Sequence, residues 1–277
     1  MKAQETDTTQ LWYIEIQGGN EFTGQILSET KSTIEFRSKT FGIIQIKKIT
    51  IRKKELISTE DIKKDGVWLD NQQEGRYLFG PSSYGLRAGE GYYQNTGVVV
   101  NQISYGFTDN FSMGVGGIPL LFFGGNESPF WITPKLSLFN EEETFAMSIG
   151  ALVGNVLGAD DGGFGVVYGT TTFGSRDKNA TIGAGYGYAG DQFADNPTLM
   201  FSGMARVGKT TYLLTENYWI NAGNESLTFL SFGIRKVWKT ASFDFGGFIP
   251  AASGIDRPYI FPWAGVSIPF SNNKPKF

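Results

Sequence analysis

From residue 76 to residue 270 the chain alternates. In 145–153, Phe145, Met147, Ile149, Ala151 and Val153 share one side of an extended strand, and Ala146, Ser148, Gly150 and Leu152 share the other. In 180–188, Ala180, Ile182, Ala184, Tyr186 and Tyr188 oppose Thr181, Gly183, Gly185 and Gly187, and in 242–249 Phe243, Phe245 and Ile249 oppose Ser242, Asp244 and Gly246. A solvated sheet covers its outer face with charge. Here the second face is Gly, Ser and Thr, which suits the inside of a narrow barrel whose greasy wall faces lipid. The pattern predicts strands at 76–86, 91–107, 111–122, 130–139, 144–156, 163–173, 178–189, 197–207, 210–220, 227–237, 240–249 and 259–270. Most have the roughly 9–11 residues that cross a bilayer at a steep tilt.

The connections alternate in length. Those at 108–110, 140–143, 174–177, 208–209 and 238–239 are short, and those at 123–129, 157–162, 190–196, 221–226 and 250–258 are longer. Outer-membrane barrels pair short periplasmic turns with longer outer loops. With the short turns in the periplasm, 91–107 runs downward and needs an earlier upward strand, for which only 76–86 is available. The expectation is therefore an antiparallel up-and-down transmembrane β-barrel of about 12 strands, with both ends in the periplasm. Pro81 is the weak point of 76–86, and without that strand the count falls toward the alternative of 10. Trp131, Trp219, Tyr92, Tyr93 and Tyr259 are expected at outer strand ends and Trp238 at an inner one, as aromatic girdles.

Before residue 75 the texture differs. Five short strands are predicted, at 11–17, 21–28, 33–37, 42–46 and 49–53, with Gly18-Gly19-Asn20 as the first turn. Five strands over so few residues predict a small SH3/Sm-like β domain. The resulting division is a disordered N-terminus or signal remnant at 1–10, a small β-barrel domain at 11–55, a polar linker at 56–75 with a helical turn at 59–64, the large barrel at 76–270 and a tail at 271–277.

Composition narrows the function. Glycine numbers 37 and phenylalanine 23, whereas charged residues make up only 18% of the 277 residues. The net charge of −3 gives a nucleic-acid partner no electrostatic support. With no Cys and no His, thiolate chemistry, thiolate zinc sites and the usual neutral-pH general base are absent. No run of 18 apolar residues predicts a transmembrane helix.

Few motifs carry chemistry. Gly203-Met204-Ala205-Arg206-Val207-Gly208-Lys209-Thr210 spells a phosphate-loop pattern, but β-forming residues follow where a helix is needed, and Gly208-Lys209 reads as a hairpin turn. Asp160-Asp161-Gly162-Gly163 offers too few carboxylates for calcium and reads as a polar loop. No catalytic, cofactor or metal site is expected. On the inner face the pattern places Lys135, Arg206, Glu216, Arg235 and Asp244. They read either as a selectivity ring or as a salt-bridge network that plugs the lumen.

Three stretches resemble known families. Residues 18–27, Gly-Gly-Asn-Glu-Phe-Thr-Gly-Gln-Ile-Leu, resemble small periplasmic β domains that precede bacterial barrels. Ala264-Gly265-Val266-Ser267-Ile268-Pro269-Phe270 resembles the final-strand signal read by the barrel-assembly machinery, apart from Pro269 and the tail that follows. Met1-Lys2-Ala3-Gln4-Glu5-Thr6 resembles the end of an export signal. Residues 76–270 as a whole resemble small Gram-negative outer-membrane β-barrel proteins with a short N-terminal periplasmic β domain. That resemblance implies a non-enzymatic barrel, either a narrow pore or an anchoring structure. Its partners would be outer-membrane lipid, the assembly machinery and a periplasmic protein docked through 11–55. The alternative is a soluble or secreted all-β ligand-binding protein.

Overall fold

The computed structural model describes residues 4–5, 10–17, 20–38, 40–57, 62–63, 66–67, 71–123, 127–141, 144–159, 162–222, 225–238, 240–252 and 259–271. It divides into two units, the first ending at Asp70 and the second spanning Asn71–Asn272. Among the described residues, no helix is long and apolar enough to cross a membrane.

The first unit is built on β1 (Leu11–Ile16), β2 (Glu21–Glu29), β3 (Thr33–Ser38), β4 (Gly42–Lys47) and β5 (Ile51–Ile57). They pair antiparallel in the order β4-β3-β2-β1-β5, with a 3-10 turn, Lys48–Thr50, between β4 and β5. A two-residue strand, Gln4–Glu5, adds to β2. Alternate residues point inward, so that Ile14, Ile26, Ile34, Phe36 and Ile46 form one buried core. A Cβ at Gly24 would lie 1.9 Å from the Arg37 carbonyl oxygen, so the close approach of β2 to β3 requires that glycine. The helical turn expected at 59–64 falls largely outside the described residues, and Ile62–Lys63 pairs with Gly66–Val67 as a minimal hairpin.

The second unit is a closed antiparallel barrel of twelve strands, as the alternation predicts. They are β6 (Glu90–Thr96), β7 (Val100–Gly106), β8 (Phe111–Gly117), β9 (Ser128–Glu141), β10 (Phe145–Leu157), β11 (Phe164–Gly174), β12 (Lys178–Ala189), β13 (Thr198–Gly208), β14 (Thr211–Ala222), β15 (Glu225–Val237), β16 (Ser242–Ala252) and β17 (Phe261–Ser271). Each pairs with the next, and β17 returns to pair with β6, Glu90 opposite Ser271, so both barrel ends lie on the short-turn side. A short helix α1, Pro119–Phe123, follows β8 on the opposite side.

Two sequence expectations fail here, and their errors cancel in the count. Residues 76–86 are not a strand: Gly80, Pro81 and Gly85 interrupt them, and only an isolated bridge, Arg76 to Pro81, forms. The stretch 91–107 is two strands, β6 and β7, because Gly97 and Val98 turn the chain with φ of 58° and 72°. The first three strands therefore have only seven residues each, against eleven to fourteen in the other nine.

The barrel's exterior is apolar. Ile132, Met147, Ile149, Val167, Ile182, Phe201, Leu230, Phe232, Ile234 and Phe245 all lie exposed on it. On the short-turn side Phe107, Phe139, Phe173, Trp238 and Phe270 are exposed, and Phe145 packs between Phe139 and Phe173 at 5.7 and 5.4 Å. Trp219 and Tyr259 face outward toward the long-loop end, as expected. Trp131 and Tyr92 do not join a girdle: both are buried, Trp131 donating to Gln102 Oε1 at 3.0 Å. Because β6 starts at the short-turn side, Tyr92 and Tyr93 sit near that end and not the outer one. Interior glycines make room for inward rings. A Cβ at Gly116 would lie 2.4 Å from the Trp131 indole, and one at Gly150 would lie 2.5 Å from Tyr168 Oη.

Candidate functional site in the barrel lumen

The segment Asn71–Ala88 occupies the lumen. It turns at 77–80, where Tyr77 N donates to Gly80 O at 2.9 Å, and returns with Ser82 N donating to Gly75 O at 3.0 Å. Tyr77, Leu78, Ser82, Ser83 and Tyr84 are completely buried. The hydroxyl rungs of the barrel wall are the segment's partners. Tyr77 Oη meets Asn179 Oδ1 at 2.7 Å and Thr181 Oγ1 at 2.5 Å. Ser83 donates its N–H to Thr172 Oγ1 at 2.8 Å and its hydroxyl to Thr170 Oγ1 at 3.0 Å. Gln73 reaches Ser267, and Tyr84 Oη donates to Gly174 O. Arg176 pairs with Glu74 at 3.0 Å and stacks over the Tyr84 ring at 4.7 Å. The Ser and Thr face that reads as a small polar lumen in the sequence is thus a set of matched hydrogen-bond sockets.

The five inward charges are all in the barrel wall, and four of them hold this segment or its partners. Arg235 and Asp244 stand directly opposite each other on β15 and β16. Arg235 grips Asp244 with two bonds, 2.7 and 2.9 Å. Its remaining donors reach Tyr77 O at 2.6 Å, Gln73 O at 3.0 Å, and Arg76 O and Asn71 Oδ1 at 3.3 Å. A guanidinium carries five donors in a fixed fork, and here the fork spans the wall and the segment at once. Lys135 donates to three segment carbonyls, Tyr84 O at 2.5 Å, Gly75 O at 3.1 Å and Ser82 O at 3.2 Å. Glu216 accepts from Phe79 N and Tyr218 Oη, each at 2.8 Å. Arg206 is used differently. It pairs with Asp177 at 3.0 Å, caps Lys209 O at 2.6 Å and lies over the Tyr212 ring.

Residues 71–88 hold the part of the site that sequence reasoning missed. Asn71, Gln73, Arg76, Tyr77 and Tyr84 look like linker and strand when read by periodicity. The available signal was punctuation, Gly75, Gly80, Pro81 and Gly85 spaced too closely for any strand that spans a barrel wall.

Beyond the tip of the segment the lumen widens into a cavity of about 570 Å³. Apolar side chains dominate its wall, among them Met113, Leu152, Met200, Phe229, Phe248 and Trp263. Its floor is Arg76, Phe79 and Gly80 of the segment together with Glu216. Gly80 is held close: a Cβ there would lie 2.4 Å from Tyr218 Oη and 2.8 Å from Met200 Sδ.

Among the described residues, no cluster of three acidic, His or Cys side chains could hold a metal. The phosphate-loop lookalike is a hairpin, β13 turning at Lys209 and Thr210 into β14, with no helix to receive a phosphate. Asp160 and Asp161 lie outside the described residues.

No protein-family model matches the chain, and no curated protein matches it. Among solved structures it is similar to the KdgM porin, with 9% identity and a TM-score of 0.46, over 66% of this chain and 98% of that one. It is also similar to the NanC porin, with 9% identity and a TM-score of 0.41, over 67% of this chain and 99% of that one. A third similar structure is OmpT, an outer membrane protein of Vibrio cholerae, with 12% identity and a TM-score of 0.34, over 98% of this chain and 100% of that one.

Proposed function

We propose that the chain is a non-enzymatic outer-membrane β-barrel closed by its own segment 71–88, with the N-terminal sheet in the periplasm as a docking module. The observation that carries the reading is the Arg235–Asp244 pair, fully buried and bonded to four residues of the segment. Lumen charges committed to holding a plug are not disposed as a selectivity ring, and their hydrogen bonds leave no nucleophile–base pair. The apolar exterior supports the membrane. Monomeric soluble proteins rarely expose contiguous apolar patches beyond a few hundred Å², and here the exposed residues continue from β7 to β17. The short turns and both barrel ends share one side, which supports placing that side in the periplasm.

The deciding experiment is conductance in planar bilayers, with heat-modifiable gel mobility as the check on folding. The wild-type barrel is expected to shift on boiling and to conduct little. Loosening the segment with Arg235→Met is expected to give openings. Large steady conductance in the wild type would overturn the plug, and a chain that stays soluble without detergent would overturn the membrane.

For the first unit, the strand order and the 3-10 turn before its last strand support the SH3/Sm-like reading. Its edge strand β4 supports docking. Ile43 on that strand is 58% exposed and the adjacent Phe41 64%, although the sheet already has a full core of its own. An edge of this kind accepts an added strand from a partner protein. Pull-down from periplasmic extract with wild type and Ile43→Lys is the test. A partner retained equally by both would overturn docking at β4.

A further inference from the structure

We propose that the cavity beyond the plug binds a hydrocarbon-tailed carboxylate taken from the bilayer over the low wall of β6–β8, its head at Arg76 and Trp263 and its tail among Met200, Phe229 and Phe248.

The head group follows from unmatched donors. Arg76 Nε and Trp263 Nε1 are buried without a hydrogen-bond partner, and both residues line this cavity. Burying an N–H without a partner costs about 1–3 kcal/mol, and native structures rarely tolerate it. Both side chains pack against the Phe79 ring. The Arg76 guanidinium lies 5.9 Å over the Phe79 ring, and that ring meets Trp263 edge-on at 6.5 Å. The carboxylate and the amide oxygen of its wall, by contrast, already accept hydrogen bonds. Glu216 gives its oxygens to Phe79 N and Tyr218 Oη, and Gln102 Oε1 accepts from Trp131. The other nitrogens of Arg76 reach only neutral acceptors, namely the Gln94 side chain, Leu78 O at 3.4 Å and Phe79 O at 3.2 Å. The site therefore presents two donors without acceptors beside a carboxylate, Glu216, whose oxygens are bonded to Phe79 N and Tyr218 Oη, and an incoming carboxylate supplies the acceptors.

The tail follows from the walls, and the route follows from strand length. Seven residues at about 3.4 Å each, tilted as barrel strands are, rise about 18 Å, short of an apolar band of about 25 Å. The upper rim of β6–β8 is accordingly greasy. Val98, in the turn between β6 and β7, is 85% exposed, and Leu120 on α1 is 66% exposed. Val98 holds φ at 72°, a conformation that glycine or asparagine adopts more easily. A strained β-branched residue kept at an exposed apolar tip fits a rim that sits in hydrocarbon.

The inference does not depend on whether the barrel conducts, so it can fail while the plug reading stands. The test uses the full chain in phosphatidylethanolamine–phosphatidylglycerol nanodiscs, with 2-bromododecanoate and its methyl ester as tryptophan-quenching probes. Saturable quenching is expected with the acid, at an affinity about tenfold or more above the ester, since a hydrogen bond to a charged group contributes about 1.5–3 kcal/mol. Arg76→Gln is expected to abolish that preference and Arg76→Lys to keep part of it. Trp263→Phe is expected to remove most of the saturable signal. Equal binding of acid and ester, a preference surviving in Arg76→Gln, or quenching that never saturates would each overturn the site. Val98→Asp with Leu120→Asp is expected to slow capture of the probe, and an unchanged rate would overturn the route. Mobility on boiling verifies that every variant is folded.

Discussion

The two units of this chain sort the same residue types in opposite directions. In the N-terminal sheet Ile14, Ile26, Ile34 and Ile46 are inside and Lys, Glu and Arg are outside. In the barrel, Ile132, Ile149, Ile182 and Ile234 are outside, while Lys135, Glu216, Arg235 and Asp244 are inside. Both arrangements obey one rule, that apolar surface seeks an apolar medium. The difference is the medium. The sheet makes its own from its core, whereas the barrel is made for one that surrounds it. Stability therefore has different sources, close packing of side chains in the first unit and hydrogen bonds between wall and plug in the second.

The largest effect that would break this comparison is expected inside the barrel. Arg235→Met leaves Asp244 without its partner and strips four segment groups of a donor, a loss of about 3–5 kcal/mol. Urea unfolding in lipid should show it, together with new protease cleavage within 71–88. In the sheet, the matching injury is a cavity. Ile34→Ala should cost about 2–5 kcal/mol, read as faster hydrogen exchange across 11–57 with the barrel unaffected.

The next pair separates the two surfaces. Ile149 and Ile43 are similarly exposed, at 47% and 58%. Ile149→Lys should cost about 2–4 kcal/mol in lipid because the charge meets hydrocarbon, whereas Ile43→Lys should stay within about 0.5 kcal/mol. Equal costs would mean that both faces meet the same solvent. At the turn, Val98→Asn should gain about 1 kcal/mol by relieving the positive φ.

The smallest effect is electrostatic. Salt bridges to Lys48 and Lys54 hold the Glu29 carboxylate below the usual glutamate range. A carboxylate with a depressed folded pKa adds stability that is fully present above its unfolded value, and it is lost as pH falls through the folded one. For partly exposed side chains the contribution is below about 1 kcal/mol. Glu29→Gln should flatten the acid limb of the sheet's hydrogen-exchange profile between pH 5 and pH 3, roughly the window around the reference carboxylate value.

Alternation made most of the barrel legible. Where residues such as Phe145, Met147 and Ile149 face outward and Ser148 and Gly150 face inward, period two marks two faces with different surroundings. It failed where that contrast is missing. Val98, Val99 and Val100 read as strand interior, because β-branched residues favour strands and nothing local announces a turn. Residues 76–86 carry strand-like aromatics, but Tyr77 and Tyr84 are buried on every side by the barrel, and a surface that tertiary contacts enclose has no preferred period. The inner charges were legible as inward, since most of them fall on the Ser, Thr and Gly side of their strands. Their use was not, because Arg235 and Lys135 bond main-chain carbonyls of the segment, which no side-chain pattern records. Trp131 was misplaced because a tryptophan near a strand end reads the same whether it faces lipid or rests on Gly116.

The plug precedes the barrel in the chain, and the seam it touches is the last one in sequence. The seam between β6 and β17 joins residues from the two ends of the unit, the pairing of greatest sequence separation and so the slowest to find. Gln73 bonds Ser267, a residue of the strand that closes that seam. The strand that closes the seam therefore bonds both β6 and the segment in the lumen. A barrel closed around an empty lumen would lack the Gln73–Ser267 bond that ties its last strand to the segment.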